Sequence, residues 1–171
     1  MKNIFLTGEK HIGKSTLIQS ILDKLNLPVG GYVTERVTGN NKTTYIVRSL
    51  YNSSESYTIA NVNTVDRSRE VFMDSFDVGI VSILEKSFEN RNLIVLDELG
   101  FFENDSRIFK HKVFELLDSN KIILGVIKDY NCEFLNDIKK RDDVLLIRIT
   151  KENREEILNE LINTINNLYH A

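Results

Sequence analysis

Residues 8–15 read Gly-Glu-Lys-His-Ile-Gly-Lys-Ser and match the pattern G-x-x-x-x-G-K-[ST]. A short apolar run over residues 3–7 precedes this segment, and apolar residues at helical spacing follow it. A glycine-containing loop between a buried strand and a helix turns its main-chain N–H groups inward, and the helix adds its positive end. The sequence therefore predicts a phosphate-binding loop (P-loop) that holds a nucleoside triphosphate.

Two side chains of this loop are expected to act directly on the bound nucleotide. Lys14 is predicted to reach the β- and γ-phosphates as a point charge, and the Ser15 hydroxyl is predicted to ligate Mg²⁺. His11 occupies a free position of the pattern, and we expect its imidazole to face solvent.

A second motif is the acidic pair that follows the apolar run over residues 93–96. Asp97 is the candidate carboxylate for holding Mg²⁺ through its water, and Glu98 is the candidate for orienting an attacking water. The alternative interpretation is an acidic strand end that caps a turn. Glu103 is either a contact to metal-bound water or the γ-phosphate side, or a solvated loop carboxylate. A further prediction is that Asp105 or Ser106 caps the next helix.

The remaining pattern predicts one α/β domain spanning residues 1–171, with a mostly parallel sheet covered by helices on both faces. Turn residues separate three β-branched and aromatic runs, which predict an antiparallel meander over about residues 30–60. Val78, Val81, Leu84 and Phe88 predict one face of the next helix. Further helices are predicted around Phe109 to Leu117, from 134 to 140 and from Ile157 to Leu168, with strands over residues 122–127 and 144–149.

Composition limits the partners. Lys and Arg total 22 against 25 Asp and Glu, for a net charge of −3, and the basic residues are scattered, so no dedicated nucleic-acid patch is predicted. One cysteine, Cys132, and no signal-peptide pattern favour a cytoplasmic protein. No apolar run approaches the roughly 20 residues that cross a bilayer, so no membrane partner is expected.

Four segments in order resemble the THEP1 family of nucleoside-triphosphatases. Besides the P-loop, residues 30–35 (Gly-Gly-Tyr-Val-Thr-Glu) and 95–103 (Val-Leu-Asp-Glu-Leu-Gly-Phe-Phe-Glu) are similar to family segments, as are residues 150–154 (Thr-Lys-Glu-Asn-Arg). The resemblance covers nearly the whole chain. It implies a RecA-like sheet and Mg²⁺-dependent hydrolysis of ATP, GTP and other triphosphates with broad tolerance of the base.

The resemblance also implies roles for individual residues. Metal binding falls on Ser15 and Asp97, and catalysis on Lys14 and Glu98. The implied nucleotide-binding residues are Gly8, Glu9, Lys10, His11, Ile12, Gly13, Lys14, Ser15, Thr16, Asp97, Glu98, Leu99 and Gly100. The family often has a small residue at the position of His11 and a lysine at that of Phe101, so a basic group beside the acidic pair is expected to be missing.

Two other functions stay open at this point. One is a nucleotide or nucleoside kinase, although the chain shows no arginine-rich lid; the other is a nucleotide-dependent switch acting on RNA or a protein partner. A positive charge at the γ-phosphate usually speeds such reactions, and the sequence does not say which residue supplies it. The candidates are Arg36, Arg67, Arg69 and Arg154, or a residue of a partner.

Overall fold

A computed structural model describes residues 2–171. One eight-stranded sheet runs through it in the order β5-β4-β3-β2-β6-β7-β1-β8. The strands are β1 (Asn3–Thr7), β2 (Val29–Thr38), β3 (Lys42–Ser49), β4 (Ser56–Asn63), β5 (Arg69–Val71), β6 (Leu93–Leu99), β7 (Ile122–Ile127) and β8 (Val144–Arg148). Strands β2, β6, β7, β1 and β8 are parallel to their neighbours in this part of the order. Strands β2 to β5 are paired antiparallel, which confirms the predicted α/β class with an added meander.

Helices cover both faces of the sheet. They are α1 (Lys14–Leu25), α2 (Val81–Asn90), α3 (Arg107–Leu117), α4 (Glu133–Lys139) and α5 (Arg154–Tyr169). Helices α1 and α5 bury their apolar faces on one side, around residues such as Ile18, Ile21 and Ile165. Helices α2, α3 and α4 pack on the other side, where Phe109 and Leu135 are fully buried. Across residues 2–171 every helix is too short or too polar to cross a membrane.

The predicted buried face of the helix that carries Val78, Val81, Leu84 and Phe88 is wrong at its first residue, Val78. Val78 is 68% exposed, whereas Phe76 and Ile80 are buried. The cause is a π-helical segment, Ser75–Ile80, whose hydrogen bonds run from residue i to i−5, as the bond from the Val81 N–H to the Phe76 carbonyl shows. Each π-turn holds more residues than an α-turn, so a face counted at α-helical spacing from Val81 back to Val78 points the wrong way.

The strand order brings the P-loop and the acidic pair together, although they are far apart in the sequence. Strand β7 lies between β1, which leads into the P-loop, and β6, which carries the acidic pair near its carboxyl end. Because all three strands are parallel, their carboxyl ends meet at one edge of the sheet. The residues that directly follow β1, β6 and β7 are therefore neighbours in space.

Candidate functional site

The P-loop curls tightly between β1 and α1. Gly8 and Gly13 adopt left-handed backbone conformations, with φ of 136° and 95°, and His11 has φ of 64°. A Cβ at Gly8 would lie 2.7 Å from the Ile149 carbonyl oxygen, so a larger residue would push the loop away from the end of β8. His11 is exposed, as predicted.

The start of α5 braces the other side of the loop. A Cβ at Gly13 would lie 2.8 Å from Nη1 of Arg154, so this guanidinium rests directly on the loop. Asn153 fixes the preceding turn: its side chain accepts a hydrogen bond from the Thr150 N–H at 2.8 Å and donates one to the Arg148 carbonyl at 2.9 Å. The segment from Thr150 to Arg154 therefore forms one wall beside the P-loop.

Lys14 folds back over the loop that it is expected to serve. Its Nζ donates hydrogen bonds to the carbonyl oxygens of Gly8 at 2.9 Å and Glu9 at 2.7 Å. Partial burial lowers the pKa of the Lys14 ammonium, while the nearby carboxylates of Glu98 and Asp97 oppose this shift. The ammonium is thus held over the space that the curled loop encloses.

Ser15 and Asp97 meet directly, although 82 positions separate them in the sequence. The Ser15 hydroxyl donates a hydrogen bond to Oδ1 of Asp97 at 3.0 Å. Asp97 is 2% exposed, and this burial raises its pKa to about 7. The hydrogen bond from Ser15 lowers the pKa of Asp97 in part, and the negative charge of Glu98 raises it further. A buried carboxylate beside a hydroxyl offers the two oxygen donors that Mg²⁺ takes from protein when phosphates and waters supply the rest. These two residues therefore fit a magnesium ion.

Glu98 stands next to a cation that the sequence interpretation missed. Its Oε1 lies 2.7 Å from Nζ of Lys128, so the expectation that no basic group stands beside the acidic pair is wrong. Lys128 is the first residue after β7, and its ammonium lies 4.8 Å from the centre of the Phe101 ring. A lysine at the carboxyl end of an apolar strand is a signal that could have revealed it, once β7 is placed between β1 and β6.

Glu103 is buried and bonded to the main chain, not solvated. It is 3% exposed, and its Oε1 accepts a hydrogen bond from the Gly100 N–H. Burial raises the pKa of Glu103 to about 7, partly offset by bonds from main-chain N–H groups. This carboxyl group closes the turn after the acidic pair, and the sequence interpretation of a solvated carboxylate is wrong.

The other predicted site residues divide into exposed and buried groups. Glu9, Lys10 and Thr16 lie exposed on the P-loop and the first turn of α1. Leu99 is fully buried, its side chain packs in the core, and its carbonyl accepts a hydrogen bond from the Lys128 N–H at 2.9 Å. Ser106, not Asp105, caps α3, by accepting a bond from the Phe109 N–H at 3.1 Å.

The chain matches known proteins over nearly all of its length. Residues 3–162 match a family model described as NTPase. A nucleoside-triphosphatase THEP1 of Thermofilum pendens is 31% identical, with 98% of this chain and 97% of that protein covered. The cancer-related nucleoside-triphosphatase of Homo sapiens is 27% identical, with 96% of each chain covered.

A solved structure supports the fold independently. The crystal structure of THEP1 from the hyperthermophile Aquifex aeolicus superposes with a TM-score of 0.78 at 24% identity, covering 93% of this chain and 96% of that one. At this level of identity the likeness concerns the fold. The family match over residues 3–162 and the 31% identity to the Thermofilum pendens protein show that the chain belongs to the THEP1-type NTPase family.

Proposed function

We propose that this protein hydrolyses nucleoside triphosphates, ATP and GTP among them, to the diphosphate and inorganic phosphate with Mg²⁺. The observation that carries the proposal is the 3.0 Å contact between Ser15 and Asp97, with Glu98 next in the chain. This contact joins the end of the P-loop, which we propose to bind phosphate, to the acidic pair, which we propose to hold the attacking water. The names of the relatives, which call them nucleoside-triphosphatases, support the same reaction class.

In the proposed reaction, the oxygen of a water molecule forms a bond to the γ-phosphorus. The bond from that phosphorus to the β–γ bridging oxygen breaks, and its electron pair leaves with the nucleoside diphosphate. Glu98 holds the water and accepts its proton, and Lys14 contacts the β- and γ-phosphate oxygens. Ser15 and Asp97 would hold Mg²⁺, which neutralises charge on those oxygens when bound.

Broad acceptance of bases is part of this proposal. The groups that the P-loop offers are main-chain N–H groups and the Lys14 ammonium, which recognise phosphate and carry no information about the base.

We also propose a cytoplasmic setting, because a single cysteine, Cys132, cannot form a disulfide within the chain.

Phosphate release from the purified protein tests the proposal. The protein is incubated with Mg²⁺ and each of several triphosphates, with and without nucleoside monophosphates, and the products are separated. We expect diphosphate and free phosphate in equal amounts without any acceptor. Transfer to a monophosphate would identify a kinase instead, and release that requires added RNA or protein would identify a switch.

A further inference from the structure

Lys128 occupies a central position that the proposed mechanism has not used. It directly follows β7, the strand that separates the P-loop strand from the strand of the acidic pair. Its N–H donates to the Leu99 carbonyl at 2.9 Å, which anchors its backbone to the end of β6. The side chain starts from a fixed point between the carboxyl ends of β1 and β6.

The ammonium of Lys128 is held in place by a carboxylate and two aromatic rings. It lies 2.7 Å from Oε1 of Glu98, and 4.8 Å and 5.5 Å from the ring centres of Phe101 and Phe102. A Cβ at Gly100 would lie 2.9 Å from Cδ of Lys128, so the absence of a side chain there leaves room for the lysine stem. Both partners of the ion pair are about one quarter exposed, with 27% and 26% of the side chains accessible. A pair of this exposure is weakly stabilising and can be exchanged for a better anion.

The charge of Lys128 also acts on the phosphate loop. Burial is the main cause of the lowered pKa of Lys14, and the positive charge of Lys128 lowers it further. The same charge favours the ionised form of Asp97. Lys14 and Lys128 thus bring two ammonium groups to one end of the sheet, where a polyanion would gain from both charges. A triphosphate held by the P-loop directs its terminal phosphate toward the acidic pair, and therefore toward this place.

We propose that Lys128 is the cation for the γ-phosphate, supplied by the chain itself. In the free protein its ammonium pairs with Glu98. When a triphosphate binds, the ammonium transfers to a γ-phosphate oxygen, and Glu98 becomes available to hold the attacking water. With a diphosphate no γ-phosphate is present, so Lys128 stays on Glu98. This inference rests on the proposed function for its effect on turnover, and on the site geometry for its effect on binding.

Binding measurements test the inference without any turnover. Calorimetry with Mg²⁺ compares a β,γ-imido triphosphate analogue with the matching diphosphate, for the wild type and for Lys128→Met and Lys128→Arg. We expect Lys128→Met to weaken binding of the analogue about tenfold or more while changing binding of the diphosphate by no more than about twofold. Lys128→Arg should recover most of the loss, because it keeps the positive charge. Lys140→Met, which removes an exposed positive charge at the end of α4, serves as the matched control and should change neither affinity.

A second comparison separates a contact to phosphate from an effect through Glu98. Lys128→Met is repeated in the Glu98→Gln background, and the preference for the analogue over the diphosphate should fall there as well. If the preference is unchanged in that background, Lys128 acts only on Glu98 and the phosphate contact is wrong. Equal weakening of analogue and diphosphate by Lys128→Met in the wild-type background would also overturn the inference.

Turnover gives a further readout. If the wild type releases phosphate, Lys128→Met should lower kcat about 100-fold with a smaller change in KM. Gly100→Ala keeps the charge but displaces the lysine stem, and should lower kcat less than Lys128→Met does. An unchanged kcat in Lys128→Met would contradict the inference. If the wild type releases no phosphate, the proposed function fails, while the ratio of the two affinities still decides the role of Lys128.

Discussion

Glu98 and Asp97 are adjacent carboxylates with different surroundings. Asp97 is buried and bonded to Ser15, whereas Glu98 is partly exposed and paired with Lys128. Because Glu98 has access to solvent, it is the member of the pair that can reach a water molecule.

Glu98→Gln is expected to lower kcat by about 10²- to 10⁴-fold, the usual contribution of a positioned general base. Binding of a triphosphate should be retained or tightened, because the change removes a negative charge near a polyanion. Phosphate release and calorimetry measure the two effects on the same sample. Glu89→Gln, at an exposed position of α2, is the matched control and should behave like the wild type. Turnover of Glu98→Gln at the wild-type rate would refute the role of this carboxylate.

Glu103 supplies a prediction about pH. Its pKa is raised by burial to about 7 from an ordinary value of 4.5, so the folded protein holds a proton that the unfolded chain releases between these two pH values. The stability that Glu103 contributes is therefore complete below pH 4.5 and is lost as the pH rises through 7. At pH 8 the buried charge lowers the free energy of unfolding on the order of 1 to 3 kcal/mol.

Glu103→Gln removes this dependence while keeping an oxygen that can accept the Gly100 N–H. Thermal melts should show the variant more stable than the wild type at pH 8, with the difference shrinking toward pH 5. Comparison with the wild type at each pH cancels the other titrating groups, and Glu89→Gln reports the effect of removing a glutamate elsewhere. A difference between Glu103→Gln and the wild type that does not vary with pH would contradict this assignment.

The pairing of β2 with β6 depends on Gly31. Its φ is 85°, and a Cβ there would lie 2.0 Å from the Val95 carbonyl oxygen. The N–H of Gly31 also donates to the Ser87 hydroxyl at 2.8 Å, which ties β2 to α2. No side chain fits at this junction without moving the backbone of β2 or β6.

Gly31→Ala is therefore expected to lower the free energy of unfolding by about 3 kcal/mol or more. Gly39→Ala is the matched control, because its Cβ would meet its nearest neighbour at an ordinary 3.6 Å. Urea unfolding followed by circular dichroism measures both variants. Equal stability of the two would show that β2 can shift to accommodate a methyl group at Gly31.

The sequence predicts best those elements that have a strong local pattern of apolar residues. Strands β1 and β7 are short, mostly apolar runs, and their predicted bounds match the structure. Strand β5 escaped prediction because three residues at the edge of a sheet carry no periodic signal. The π-helical segment before α2 escaped because nothing in its residue types distinguishes a π-turn from an α-turn.

Some residues of the site could be predicted from local sequence patterns, and others could not. A local pattern predicted the loop of Gly8 and Ser15 and the acidic pair, and the fold brings Ser15 and Asp97 together as expected from the parallel topology. Lys128 and the burial of Glu103 depend on strand order and on packing between distant segments. Such relations become visible only when the order of the strands is known.

At the scale of the whole molecule, nucleotide binding is expected to stabilise the fold, because the P-loop and the acidic pair come from distant parts of the chain. A ligand present at 100 times its Kd adds about 2.7 kcal/mol, which corresponds to a rise in Tm of roughly 5 to 10 °C for a chain of this size. We expect this rise with Mg²⁺ and a triphosphate, and a smaller one when EDTA removes the metal.

Lys14→Ala provides the comparison for that melt. It removes the ammonium that is expected to contact the phosphates, so the nucleotide should raise its Tm by much less than that of the wild type. An equal rise in both proteins would show that the nucleotide binds somewhere other than the P-loop.

The placement of β1 in the sheet has a consequence for how the protein is made. β1 leaves the ribosome well before the two strands that flank it, β7 and β8, because both lie much later in the sequence. During synthesis the phosphate loop therefore has no rigid support until translation has passed residue 148. We therefore expect the nascent chain to bind a nucleotide only after β8 has paired with β1.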